Sequence, residues 1–223
     1  INTEEAKPMI ETYLGGLPTI NRTENFEDIK MDFRKGEYKN VFNKEMETPM
    51  ATVVVVASGN CEYSLKNDLL MTCLARTLDM VYLEEVREKQ GGTYGVQTIG
   101  QLNRYPKEDE ALLEVVFNTD PAKREMLMKI IMGELQKVAK EGPKQEHLTK
   151  VKEALIKQYA ENIKENSYWL SMLNEYYWYN EDMDSNYEQM VNSITIKEVQ
   201  EFAKKLFDQG NLIEVSMTTE TSK

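Results

Sequence analysis

Arg87 and Tyr94 are the side chains in this sequence whose types and spacing are best suited to joint chemistry. Arg87 lies on the predicted last turn of a helix, and Tyr94 follows the Gly91-Gly92 turn at the start of a predicted strand. This junction can bring a guanidinium and a phenol to the same edge of a sheet. A helix C-terminal cation and a packed aromatic explain the same residues, because the helix dipole favours a cation at that end. From the residues alone, this second interpretation is the simpler one.

Other kinds of catalytic chemistry lack the residues they need. His147 is the single histidine, whereas catalytic zinc usually requires two histidines spaced i and i+4 on one helix. We therefore expect His147 at the surface and no metal ligand in this chain. Cys73 is expected to be a buried thiol, with a Cys61–Cys73 bridge as the alternative in an oxidising compartment. No Gly-x-Ser-x-Gly motif is present, and the glycines at 91–95 follow a helix, the reverse of a phosphate loop.

The elements that must position Arg87 and Tyr94 follow from hydrophobic periodicity. Ser64 can cap a helix that reaches about Gln90. Within this helix two adjacent i+4 rows form a broad apolar stripe: Leu69, Cys73, Thr77 and Val81, and Leu70, Leu74, Leu78 and Tyr82. Strands are predicted at 93–103 and 110–119. The other predicted strands are at 39–46, 50–58 and 212–218. The other predicted helices are at 3–13, 121–142, 184–192 and 196–208. Residues 144–179 are predicted to form two helices or one kinked helix. This order predicts an α+β fold with an antiparallel-rich sheet packed against several helices.

Composition limits the classes of partner that the chain can bind, and its changes along the chain indicate the domain boundaries. The 223 residues carry a net charge of −11, which argues against nucleic acid because phosphate binding needs clustered Lys and Arg. No apolar stretch approaches the ~20 residues of a membrane span, and no signal segment is visible, so we expect a soluble protein of unknown compartment. We predict a tail of a preceding domain at 1–20, a linker at 21–36 and a single α+β domain at 37–219.

The Arg87-Glu88-Lys89 sequence, with Tyr94 seven residues after the arginine, closely resembles the Arg/Tyr signature in the second half of the insulinase/pitrilysin zinc peptidases. Similarity extends to the helix opening at 142–152, to the penultimate helix at 194–200 and to the end of the preceding domain at 13–18. The resemblance therefore covers nearly the whole chain, and the Arg/Tyr junction is its most specific part.

The resemblance implies a clamshell-type peptidase domain from the C-terminal half that lacks zinc. In this family the other half carries His-x-x-Glu-His, which supplies zinc ligands and the base that acts on zinc-bound water. That motif is absent here, so we expect no cofactor in this chain and zinc in a missing N-terminal half, fused upstream. The expected partners are that zinc-bearing half and a peptide substrate, with no nucleic acid and no membrane. The chain alone is expected to be inactive.

The resemblance also implies roles for the two site residues. Tyr94 would donate to the carbonyl oxygen as negative charge grows on it, and Arg87 would hold a substrate carbonyl and orient the phenol. The alternative function is a non-catalytic structural or peptide-binding scaffold of the same superfamily.

The aromatic run 168–179 fits either packing between helices or a wall of a peptide-binding site. The Glu84-Glu85 pair is expected on a solvated face.

Overall fold

The computed structural model describes residues 2–23, 25, 27, 34–88, 93–104 and 109–219. They fall into two compact units, 1–31 and 32–223, each described by itself. The first unit holds helix α1 (Thr3–Tyr13), which begins after Asn2, whose side chain accepts a hydrogen bond from the Glu4 amide. This cap satisfies one of the free amides of the first turn, and the helix has the predicted bounds. The tail, linker and domain boundaries at 20 and 36 remain predictions.

The second unit is built on one sheet. The strands in its described part are β1 (Glu37–Lys44), β2 (Ala51–Asn60), β3 (Thr93–Asn103), β4 (Glu110–Thr119) and β5 (Asn211–Thr219). Their order is β1-β5-β2-β4-β3, and only β1 and β5 run parallel among these neighbours. The prediction of an antiparallel-rich sheet is therefore confirmed. Strand β3, which contains Tyr94, lies at one edge.

Helices supply the rest of the fold. In the described part of the second unit they are α2 (Leu65–Tyr82), α3 (Arg124–Glu141), α4 (Gln145–Asn162), α5 (Asn166–Tyr179), α6 (Tyr187–Ser193) and α7 (Ile196–Phe207). A π-helical turn (Leu83–Glu88) extends α2, and a 3₁₀ turn (Pro121–Lys123) precedes α3. The fold is α+β, as predicted. Among the described residues, none of the helices combines the length and apolar character that a membrane span requires.

The core lies between α2 and one face of the sheet. Both predicted rows of α2 are buried except at Val81, which is half-buried. On the sheet, Val53, Val55 and Phe117 alternate inward and are almost inaccessible to solvent. Full burial of each such side chain stabilises the fold by roughly 1.5–3 kcal/mol. This packing fixes α2, and therefore the start of the π-helical turn, relative to the sheet.

The opposite face of the sheet remains partly open to solvent. Val54 pairs with Val116 on β4 and with Val215 on β5, so these three side chains share one face, and all three are half-exposed. Ile99, on the same face through its pairing with Glu114, is exposed. A sheet face with valines at its centre and partial access to solvent can receive an apolar partner.

Candidate functional site

The helix predicted to reach about Gln90 is described as far as Glu88, and residues 89–90 lie outside the described part. Its α-helical part ends at Tyr82 and passes into the π-helical turn that carries Arg87. Tyr82 and Val86 are fully buried, and the Tyr82 hydroxyl donates to the Ile131 carbonyl oxygen at 3.3 Å. Such wider turns are rare and occur often at functional sites, because they change the direction of the side chains that follow.

Strand β3 begins with an irregularity that involves Tyr94. Thr93 pairs with Thr119, and the next pair joins Val96 to Phe117. Two residues of β3, Tyr94 and Gly95, thus stand opposite a single residue of β4, which is a β-bulge. Bulges bend the strand and redirect a side chain, and they are common next to active sites.

The backbone places Arg87 in the π-helical turn and Tyr94 in the bulge, on either side of the segment 89–92. That segment, with the predicted Gly91-Gly92 turn, lies outside the described residues. The side chains of Arg87 and Tyr94 also lie outside the described part. Their roles toward a substrate therefore remain predictions. The structure shows the local backbone on which these two residues lie.

Strand β3 is fixed to α2 by two close contacts near the bulge. The Thr98 amide donates to Asp79 Oδ1 on α2 at 2.6 Å, and burial raises the pKa of this carboxyl group. Gly100 faces α2 so closely that a Cβ atom there would lie 2.8 Å from the sulfur of Met71. Glycine allows this close approach of a strand to a helix without displacement of the Met71 side chain. The edge strand is thus held in place independently of segment 89–92.

Glu84, in the π-helical turn, is bound by the first turn of α4. One carboxylate oxygen lies 3.0 Å from Lys144 Nζ and the other lies 3.0 Å from His147 Nε2. The Glu84 side chain is 37% exposed, as expected for a solvated face, and the two hydrogen bonds are what the sequence did not predict. The Lys144 hydrogen bond has the largest effect on the pKa of the Glu84 carboxyl group; together with His147 it lowers this pKa against the opposing effect of burial. Glu84 is consequently ionised at neutral pH.

His147 is buried, so the prediction of a surface histidine is wrong. Its side chain is only 1% exposed, and Glu84 provides its hydrogen-bond partner. The partner lies 63 residues away in the sequence, which is why spacing along the chain could not reveal it. This pairing is the functional candidate that sequence reasoning missed.

The aromatic run on α5 is mostly exposed, so interhelix packing explains only part of it. Tyr168, Met172 and Tyr179 are half-buried along one stripe. Tyr177 is 79% exposed. The other exposed large side chains of the run are Trp169, Leu170, Leu173, Tyr176 and Trp178. The packing interpretation is wrong for these residues, and the peptide-wall interpretation remains a prediction.

Metal and thiol chemistry find no support in the described residues. No group of three or more His, Cys, Asp or Glu side chains in the described part could hold a metal ion. Cys61 and Cys73 are both free and buried, so they form no bridge. Burial raises the pKa of the Cys73 thiol to about 11, which makes it a poor nucleophile.

Comparison with solved structures identifies the fold. The protein overlays on the periplasmic protease PqqL from Escherichia coli with a TM-score of 0.81 and 14% identity, covering 97% of this chain and 24% of PqqL. A protease from Helicobacter pylori gives 0.79 and 16%, covering 97% and 53%. The ferredoxin protease FusC, solved in complex with Arabidopsis ferredoxin, gives 0.77 and 16%, covering 99% and 24%. At such identities the likeness shows the fold alone.

The chain spans between about a quarter and about half of the length of these proteases. No curated protein matches the sequence. A family model described as the peptidase M16 inactive domain matches residues 1–155, which is more than half of the 223 residues. The chain therefore belongs to the peptidase M16 family, as an inactive, non-zinc domain of that family.

Proposed function

We propose that this chain is the substrate-holding, transition-state-stabilising domain of a zinc-dependent endopeptidase whose zinc lies in another half of the protein. The observation that carries the proposal is the local backbone around the Arg/Tyr junction. Arg87 lies in a π-helical turn and Tyr94 in a β-bulge, and only residues 88–93 separate them. Both irregularities redirect side chains, and both occur at the same junction between α2 and the edge strand.

The sheet supports the binding of a polypeptide. The bulge that contains Tyr94 begins an edge strand, and Val54, Val116 and Val215 leave a half-exposed apolar face beside it. An extended peptide can place apolar side chains on such a face, while its carbonyl groups need hydrogen-bond donors. The guanidinium of Arg87 and the phenol of Tyr94 supply donors of the required kind.

The chemistry proposed for this chain is hydrogen bonding to a peptide carbonyl under attack. As the carbonyl carbon becomes tetrahedral, negative charge grows on the oxygen, and the Tyr94 O–H donates to that oxygen. A donor of this type stabilises the transition state by roughly 2.7–4 kcal/mol relative to the ground state. Arg87 holds a substrate backbone carbonyl and orients the phenol, and its fixed charge also favours the developing oxyanion.

Zinc does not fit the residues that the structure describes. The single histidine is buried against Glu84, and the described residues contain no cluster of metal ligands. We therefore place zinc and its ligands in a partner half, fused upstream. The proteases that share this fold have chains about two to four times as long, which leaves room for such a half in those proteins.

The test is the Tyr94→Phe variant of the complete protein, assayed on a peptide that the parent protein cleaves. We expect kcat to fall about 100-fold or more with KM changed less than about 3-fold, because the donor acts mainly in the transition state. Tyr13→Phe on α1 is the matched control, since it removes the hydroxyl of an exposed tyrosine outside the α5 aromatic run.

An unchanged kcat for Tyr94→Phe would remove the phenol from the mechanism. A complete protein that cleaves no peptide, but binds peptides or a partner, would instead support the alternative of a non-catalytic scaffold. The scaffold alternative is retained because the matching family model describes an inactive domain.

A further inference from the structure

The contact between Glu84 and α4 joins two distant parts of the chain at the turn that contains Arg87. Glu84 is the second residue of the π-helical turn, and Arg87 follows three residues later in the same turn. On the other side, Lys144 immediately precedes α4 and His147 lies in its first turn. Both distances to the Glu84 carboxylate are 3.0 Å, so a single carboxylate accepts from two donors on one helix end.

Burial of His147 makes this contact specific. The imidazole is 1% exposed, and its Nδ1 atom is buried without a hydrogen-bond partner. A protonated Nδ1 would be a buried donor with nothing to bind, which is costly, whereas a bare nitrogen leaves only an acceptor unsatisfied. The arrangement therefore favours the tautomer in which Nε2 carries the proton and donates to Glu84. Glu146, at 3.8 Å from Nε2, is too distant to replace Glu84 in this hydrogen bond.

The first turn of α4 follows a closely packed chain reversal. Gly142 ends α3 with a φ of 77°, and Pro143 separates it from Lys144. A Cβ atom at residue 142 would lie 2.5 Å from the Ile196 side chain, so this reversal packs directly against the start of α7. Lys144 and His147 therefore follow a reversal that is packed against α7.

We propose that His147 and Lys144, acting through Glu84, are positioning residues that hold the π-helical turn so that Arg87 meets the substrate. The inference rests on the proposed function and extends it to residues that touch no substrate. A π-helical turn is rarer than an α-helix, and a side-chain contact from outside the helix, in addition to the burial of Val86, helps to keep it in one geometry. Loss of the tie lets the turn relax, and a displacement of about 1 Å at a substrate-binding group can cost about 100-fold in rate.

The test compares His147→Leu, His147→Gln and Glu84→Ala in the complete protein, with peptide-cleavage kinetics as the readout. We expect His147→Leu and Glu84→Ala each to lower kcat about 10-fold, because the turn is loosened but Arg87 is retained. His147→Gln keeps an amide donor for Glu84 and should restore most of the rate. The double variant of Glu84→Ala and His147→Leu should be no slower than Glu84→Ala alone, since Glu84→Ala already removes the contact with His147.

Two measurements separate positioning from general stability. Amide hydrogen exchange across 83–88 should be faster in His147→Leu and Glu84→Ala than in the control Glu153→Gln, which changes an exposed carboxylate on the same helix. A kcat within about 2-fold of the parent, or effects that multiply in the double variant, would overturn the inference.

Arg87→Gln separates a failure of the positioning role from a failure of the proposed function. If this variant is slow while the His147 and Glu84 variants are not, only the positioning role fails. If Arg87→Gln is itself as fast as the parent, the proposed function fails and the positioning role fails with it.

Discussion

Asp68 provides a quantitative test of side-chain burial at the start of α2. It lies in the first turn of α2, where it is largely enclosed. Burial, with a smaller effect of the Glu175 charge on α5, raises the pKa of its carboxyl group from 3.8 to about 6. The folded state thus prefers the protonated form. The contribution of protonated Asp68 to the free energy of unfolding is fully present below about pH 4 and is lost as the pH rises through about 6.

The size of the effect follows from the shift in pKa. A rise of roughly two units corresponds to at most about 3 kcal/mol of unfolding free energy lost between pH 4 and pH 7. Asparagine keeps the shape of the side chain and cannot ionise. Asp68→Asn should therefore be more stable than the parent at pH 7, and this advantage should shrink at pH 4.

The assay is urea unfolding of parent and variant at pH 4, 5, 6 and 7, with the free energies compared at each pH. Glu153→Gln is the control for removing one negative charge from a chain of net charge −11. Parallel pH profiles for the parent and Asp68→Asn would refute the reasoning, because they would show that Asp68 binds protons equally in both states.

Two further predictions concern the backbone and the thiols. Gly142→Ala should lower the free energy of unfolding by about 1–3 kcal/mol in urea titrations, because φ is 77° and the new Cβ would lie 2.5 Å from Ile196. Gly133→Ala in α3, where a Cβ meets nothing within 4 Å, should instead raise it by about 0.5–1 kcal/mol, and equal effects would contradict the account. The Cys73 thiol, whose pKa burial raises to about 11, should resist an alkylating reagent at pH 8 in the folded protein and react after unfolding, as followed by mass spectrometry. Rapid labelling of the folded protein at this residue would show that it is accessible.

The elements of the fold were largely predictable from local patterns. Strands 93–103 and 110–119 and helix 3–13 match the structure to the residue, because turn residues and capping side chains mark their ends. The Ser64 side chain caps α2 by accepting a hydrogen bond from the Asn67 amide, so the predicted cap is confirmed. Within the predicted strand 110–119, Leu113, Val115 and Phe117 alternate into the core. In each case the determinant lies within a few residues of the element it defines.

The sequence by itself determined the α+β class, the position of the Arg87/Tyr94 junction between a helix and a strand, and the lack of a second histidine for zinc. Only the tertiary structure decided that α2 ends in a π-helical turn, that His147 is buried against Glu84, and that much of α5 is exposed. Local periodicity shows which face of an element is apolar. It cannot show which distant residue meets that face, since contacts such as that across the 63 residues from Glu84 to His147 form only when the whole chain packs.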